Sequence, residues 1–254
     1  MTVGRGRTQS LFPVTGDTCK RMAGSNVGRT DLRNPGGSMF PTKLTNGYRS
    51  FLTGRFPRER SRFEALAKGQ SPEIMVIGCC DSRVSPEVIF DASPGELFVV
   101  RNVANLVLDY ELNADYDGTS AAIEFAVNAL RVKHIVVLGH ADCGGVRAFA
   151  SRQASPPSND FVGRWISLLS PAMQRLDAAD RASPEFLRRL ELAGVENSLD
   201  NLLTYPWIRR PVEDGELHLH GAYFGVASGR LLVRDPADGE FRAMDEGARE
   251  HRAR

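Results

Sequence analysis

Ile74-Met-Val-Ile-Gly-Cys-Cys-Asp-Ser-Arg83 is an apolar run that stops abruptly in two thiols, a carboxylate, a hydroxyl and a guanidinium. Short apolar runs bounded by Gly read as buried strands, and a strand ending in reactive groups delivers them to the carboxyl edge of a sheet, where open α/β folds bind ligands. A second stretch, His134-Ile-Val-Val-Leu-Gly-His140-Ala-Asp-Cys143-Gly-Gly, has the same form, with an imidazole and a thiol three residues apart after the Gly. Two such strands side by side bring Cys79, His140 and Cys143 together as a metal site with three protein ligands.

The chain around these runs alternates strand and helix signals. From Leu44 to Lys68 apolar and aromatic positions recur at three- and four-residue spacing with Pro57 interrupting, which reads as two helical pieces, an N-terminal helical arm. Gly69-Gln-Ser-Pro72 ends that helix. Ser85-Pro86-Glu87 offers a hydroxyl N-cap and Pro at the first helical position, predicting a short helix to about Phe90 before a strand Leu97–Arg101. Asn113–Thr119 is turn-rich, and Ala122, Phe125, Ala126 and Ala129 mark an amphipathic helix leading into the strand His134–Gly139. Strand, helix, strand, helix, strand implies parallel pairing. Beyond a helix opening at Gly144 and a Pro/Ser loop over Ser151–Asp160, two helices are expected, about Phe161–Ala178 and Pro184–Leu203, ending near Pro206. Glu216–Phe224 alternates as a strand, and Leu231–Arg234 pairs with it as an antiparallel edge hairpin. The fold class is α/β, a mainly parallel central sheet flanked by helices.

The chain has 254 residues, 42% hydrophobic and 25% charged, enough for one sizeable core or at most two. Residues 1–38, rich in Gly, Arg, Ser and Asn, are read as a disordered extension or a stretch upstream of the true start at Met39; 39–245 is the folded domain, 246–254 its frayed tail, and the whole of Asp235–Arg254, with falling hydrophobicity and rising charge, should fray. No window approaches the ~20 apolar residues of a membrane span, and no secretory h-region follows the N-terminus. The expectation is a cytoplasmic protein. A net charge of +1 gives no electrostatic case for nucleic acid or a membrane. Four cysteines, at 19, 79, 80 and 143, do not make a disulfide framework for this length, and thiols beside a His and an Asp point to metal or catalysis.

Zinc prefers thiolate and imidazole ligands in a tetrahedron, and a site with three protein ligands keeps one position for water or substrate. Asp81 and Arg83, just past the first ligand, are the candidates for orienting that water, with Arg83 holding Asp81 bidentately. If Arg83 lets go, Asp81 could take the fourth metal position and close the site. Cys80 is read as a packing residue facing the core, and Cys19, His134 and His251 as incidental. Gly144 and Gly145 either start a helix or leave room for substrate. His218 and His220 are read as facing opposite sides of a strand and as structural.

Cys79-Cys-Asp-Ser-Arg83 with His140-Ala-Asp-Cys143-Gly-Gly resembles the two-part zinc signature of the β-class carbonic anhydrases, and the resemblance extends through Gly69-Gln-Ser-Pro, Pro94–Asn105, Gly118–Phe125, Asn201–Trp207 and Leu219–Phe224. It is closer to the plant-type branch. It implies reversible hydration of carbon dioxide to bicarbonate by zinc-bound hydroxide, one Zn2+ per chain on Cys79, His140 and Cys143, and Asp81–Arg83 as a catalytic dyad. It also implies Gln70, Phe98, Val103 and Phe125 at the substrate, and a homodimer or larger assembly with the active cleft at the dimer interface. Phe125 stands where the pattern often has Tyr, and Cys80 where it commonly has Ser. Hydrolysis of carbon disulfide or carbonyl sulfide, and a non-catalytic zinc or bicarbonate sensor, are the rival readings.

Overall fold

A computed structural model of the protein describes residues 40–110, 117–152, 160–177 and 181–244. The expected extension 1–38 and tail 246–254 lie outside the described residues, as do most of the turn-rich stretch after Asn113 and most of the Ser151–Asp160 loop. The chain divides into two compact units, Met1–Arg55 and Phe56–Arg254. In the first, α1 (Thr42–Ser50) runs into a π-helical turn, Phe51–Arg55, and Leu44, Tyr48 and Leu52 recur every four residues as exposed apolar side chains. The second begins with the short α2 (Phe56–Arg58) and α3 (Arg60–Leu66), so Pro57 sits inside a helical turn.

The apolar runs do form the central strands. β1 (Ile74–Cys79), buried from Met75 onward, lies between β2 (Leu97–Asn102) and β3 (His134–His140), parallel to both. β4 (His218–Phe224) continues the parallel set beside β3, while β5 (Leu231–Arg234) and β6 (Phe241–Ala243) add antiparallel strands, giving the order β2-β1-β3-β4-β5-β6. Burial on both faces explains why the central strands read as continuous apolar runs rather than alternating ones. On one face Met75, Ile77, Ile135 and Val137 join Ile123 and Ala126, which come from α5 (Gly118–Glu124) and the π-helical turn Phe125–Leu130 that extends it. Asp117 caps α5, its carboxylate accepting the Thr119 and Ser120 amides. On the other face Val76, Leu138 and Ala222 form a smaller cluster.

After β3 come α6 (Gly144–Arg152), α7 (Phe161–Ile166) and α8 (Ser170–Gln174), then α9 (Phe186–Leu202), the long helix that covers the sheet. Two strand glycines set its distance from β3 and β4. A Cβ at Gly139 would come 2.6 Å from Val195 Cγ2, and one at Gly221 within 3.2 Å of both Leu199 and Val195.

Three expectations are corrected. The segment after Asp235 does not simply fray: Gly239 turns at φ 84°, Arg242 reaches back to Asp235 at 2.7 Å and also to Asp238, and Ala243 is buried, so β6, not β5, is the sheet edge. A three-residue strand is too short to register as alternation. Pro206 starts a helix rather than ending one, as first residue of α10 (Pro206–Glu213), where its missing N–H costs nothing. His218 and His220 share a face, as residues two apart on a strand must, and both lie beside His134 with ring centroids 5.3 Å away.

The close approach of α9 is testable. Gly139→Ala should destabilise the fold by about 1–3 kcal/mol, the usual cost of overpacking a closed core, read as a lower denaturant midpoint at unchanged slope; a wild-type midpoint would mean that α9 shifts freely.

Candidate metal centre

The carboxyl ends of β1 and β3 hold the site. Cys79 is the last residue of β1 and His140 the last of β3; Cys143 follows a turn in which Asp142 adopts φ 56° and immediately precedes α6. Parallel pairing of the two strands, ending at Gly78 opposite Leu138, brings all three side chains together. They are 5%, 1% and 1% exposed, and their ligand atoms lie within 4.8 Å of one another.

The donor set fits zinc. The sulfurs of Cys79 and Cys143 are 3.9 Å apart, against about 3.8 Å for two thiolates on one tetrahedral zinc with Zn–S near 2.3 Å. His140 Nδ1 stands 2.9 Å from the Ala141 carbonyl, which can only accept, so Nδ1 carries the proton and Nε2 the lone pair. That Nε2 is buried with no hydrogen-bond partner. A buried acceptor in that condition costs roughly 1–3 kcal/mol, a cost an ion bound there removes. The hydrogen bond from Cys143 lowers the pKa of the Cys79 thiol, against the opposing effect of burial. Cys143 is raised because it gives that hydrogen bond and because it is buried.

Asp81 borders the same space. Its Oδ2 lies 3.9 Å from His140 Nε2, and Arg83 grips both its oxygens, donating from Nε to Oδ1 at 2.9 Å and from a terminal nitrogen to Oδ2 at 2.7 Å. The Arg83 backbone N–H adds a third bond to Oδ1 at 3.0 Å, and its guanidinium also reaches the Asp142 carbonyl at 3.0 Å. This hold keeps the Asp81 carboxyl far below the ordinary carboxylate range. Asp81 is therefore an ionised, acceptor-only group beside the ligand cluster.

Several supporting residues are not evident from the signature stretches. Arg101, at the end of β2, donates to the carbonyls of Cys79 and Asp81, both at 2.7 Å, and so fixes the turn that carries ligand and carboxylate. The Ala104 N–H points at Cys79 Sγ at 3.4 Å. That aim requires a left-handed backbone, φ 66° at Ala104 and 49° at Asn105, and the Asn102 side chain secures the turn through both backbone groups of Leu106 at 2.8 Å. Glu191, from α9 and buried, accepts the Cys143 N–H at 2.8 Å and the Tyr223 hydroxyl at 2.6 Å. Burial raises its carboxyl pKa. One signal could have found Glu191: it lies in the apolar ladder Leu187, Glu191, Val195, Ser198, Leu202 that defines the buried face of α9.

The remaining candidates are distributed as follows. Phe98 and Phe125 form a ring pair with centroids 5.9 Å apart, and Val103 and Phe125 are partly exposed at 37% and 42%. Gly145 has no room for a side chain, since a Cβ there would meet Val103 Cγ1 at 2.8 Å; at Gly144 a Cβ would meet open space. Gln70 is exposed in the connection before β1. Cys80 does not face the core: it is exposed, because the chain leaves the sheet after Cys79 once the Cys80 N–H has bonded the Asn102 carbonyl at 2.8 Å. Cys19 lies outside the described residues.

Residues 74–231 match the family model described as carbonic anhydrase. The chain is 38% identical over 191 residues to "Beta carbonic anhydrase 6, mitochondrial" of Arabidopsis thaliana, a match spanning 74% of this chain and 65% of that protein. Among solved structures it resembles the β-carbonic anhydrase CcaA, with TM-score 0.69 and 31% identity over 79% of this chain and 90% of the other. It also resembles tetrameric β-carbonic anhydrases of Sordaria macrospora, with TM-score 0.63 and 30% identity over 79% and 98% of the two chains. With the sheet, the Cys-His-Cys cluster and the Asp-Arg pair all in place, these likenesses show that the chain belongs to the β-carbonic anhydrase family.

Proposed function

We propose that the protein is a zinc enzyme that interconverts carbon dioxide and bicarbonate. The observation that carries this reading is the meeting of a three-ligand cluster with an ionised carboxylate gripped by Arg83. Cys79 Sγ, Cys143 Sγ and His140 Nε2 would hold zinc, which supplies Lewis acidity and lowers the pKa of water at its open position. Asp81, ionised and beside the cluster, would accept a hydrogen bond from a water held there and so orient its lone pair toward the substrate. Because Arg83 suppresses protonation of Asp81, the carboxylate orients the proton but does not keep it, and the proton leaves to buffer. Phe98, Phe125 and Val103 offer carbon dioxide an apolar wall, Gly144 leaves space for its approach, and Gln70 hydrogen-bonds bicarbonate. Arg83 holding both Asp81 oxygens supports an open site over a permanently closed zinc sensor.

We place the active form in a homo-oligomer. The exposed apolar stripe Leu44, Tyr48 and Leu52 along α1 and its π-helical turn and the exposed Phe125 support this, and the tetrameric relatives from Sordaria macrospora agree with it.

Stopped-flow carbon dioxide hydration, with zinc counted on the same sample, tests the reading. Cys143→Ala should lose zinc and activity together. Asp81→Asn should keep zinc while turnover falls by about 100-fold or more, in the range of a lost proton-positioning group; full turnover in that variant would remove Asp81 from the mechanism. One bound zinc with an uncatalysed rate at every pH would favour a sensor. Light scattering should give a particle of at least two chains; a monomer at full activity would overturn the oligomeric assignment.

A further inference from the structure

The opposite end of the sheet carries a second cluster of metal-type donors. His134 opens β3 and His218 opens β4, and the two are cross-strand partners in the parallel ladder. His220 lies two residues further along β4 on the same face. The His134 ring stacks on His218, centroids 5.3 Å apart at 25°, and meets His220 at 5.3 Å and 43°. His134 Nδ1 and His220 Nε2 share a hydrogen bond of 3.1 Å, one nitrogen donating and the other accepting. Two imidazole nitrogens bound to one tetrahedral ion at about 2.0–2.1 Å stand roughly 3.3 Å apart. The pair therefore already has close to a chelating separation, and an ion bound there would take the place of that hydrogen bond. His218 stacks on His134 and has to turn out of that stack to bring a nitrogen to the pair; it is exposed, so the turn leaves the core undisturbed.

His220 presents the form of the ring that binds metal. His220 is held neutral, first by burial and then by the neighbouring His134 and His218, and the neutral ring is the form that binds metal. The ammonium of Lys133 beside His134 is paired with Glu73 at 3.3 Å, which offsets its repulsion of an incoming ion. Three imidazoles without a carboxylate suit a borderline transition ion rather than Mg2+ or Ca2+. Six residue rises along β3 separate His134 from His140, about 20 Å at ~3.3 Å each, so this cluster shares nothing with the Cys-His-Cys site.

We propose that His134, His218 and His220 form a second metal site, for a borderline divalent ion such as Zn2+, with water completing the coordination. The site pins the start of β3 to the start of β4. It is independent of the catalytic reading, and its failure would leave that reading untouched.

Calorimetric titration of the zinc-loaded full chain with further Zn2+ tests it, with histidine ring signals followed by NMR and bound zinc counted after dialysis. The expected result is one additional Zn2+ per chain, with the ring signals of His134, His218 and His220 moving together. Loss of an outer-shell partner alone commonly weakens metal binding about 10–100-fold, so His220→Ala should weaken the second step at least that much. His218→Ala, at an exposed position, should weaken it too and guards against a folding defect in the first variant. Both variants should hydrate carbon dioxide like wild type. The proposal is overturned if wild type takes up no second zinc, or if uptake is unchanged in His218→Ala or His220→Ala.

Discussion

The parallel pairing of β1 with β3 is the constraint on which the rest of this structure depends. Its register, Ile74 with His134 through Gly78 with Leu138, makes both strands end at the same level of the sheet. Cys79 and His140 thereby become neighbours across 60 intervening positions of sequence, and the turn at Asp142 returns Cys143 to the same point. A slip of one residue would turn every side chain of one strand to the opposite face and separate the ligands. The apolar content of both runs, buried on two sides, is what makes such a slip costly.

The ligand cluster is held less by its own residues than by what packs around them. Arg101 fixes the β1 turn through two carbonyls, the strained turn at Ala104 aims an amide at one sulfur, and Glu191 fixes the other cysteine through its backbone. Arg83 performs the same service for Asp81. Each of these bonds is charge-assisted or directed at a charged atom, and each is made by a residue anchored on β2, α9 or a tight turn. Orientation of this kind by surrounding hydrogen bonds is what lets a metal site keep one geometry.

Much of this was legible in the sequence, for identifiable reasons. The central strands announce themselves as continuous apolar runs, and the ligand types Cys, His and Cys at two strand ends point to one metal. The Asp-x-Arg spacing yields the carboxylate grip directly, since two residues of turn suffice for a bidentate contact. What was not legible depends on contacts between segments distant in the chain. Glu191 looks like one more charged helical residue until α9 is laid over β3, and Arg101 reads as strand-end polarity until β2 lies beside β1. The outward path of Cys80 follows from where the ladder stops, which its apolar neighbours do not reveal. β6 is too short for periodicity, and Pro206 opens a helix where a terminator was expected.

The bond from Glu191 to the Cys143 amide also bears on the order in which the protein is made. Cys79, His140 and Cys143 are all in the growing chain before residue 191 is added, and Tyr223, the other partner of that carboxylate, is added later still. A nascent chain thus holds a full set of metal-binding side chains while the helix that fixes one of them has yet to be synthesised. The geometry of the centre is completed from the C-terminal side.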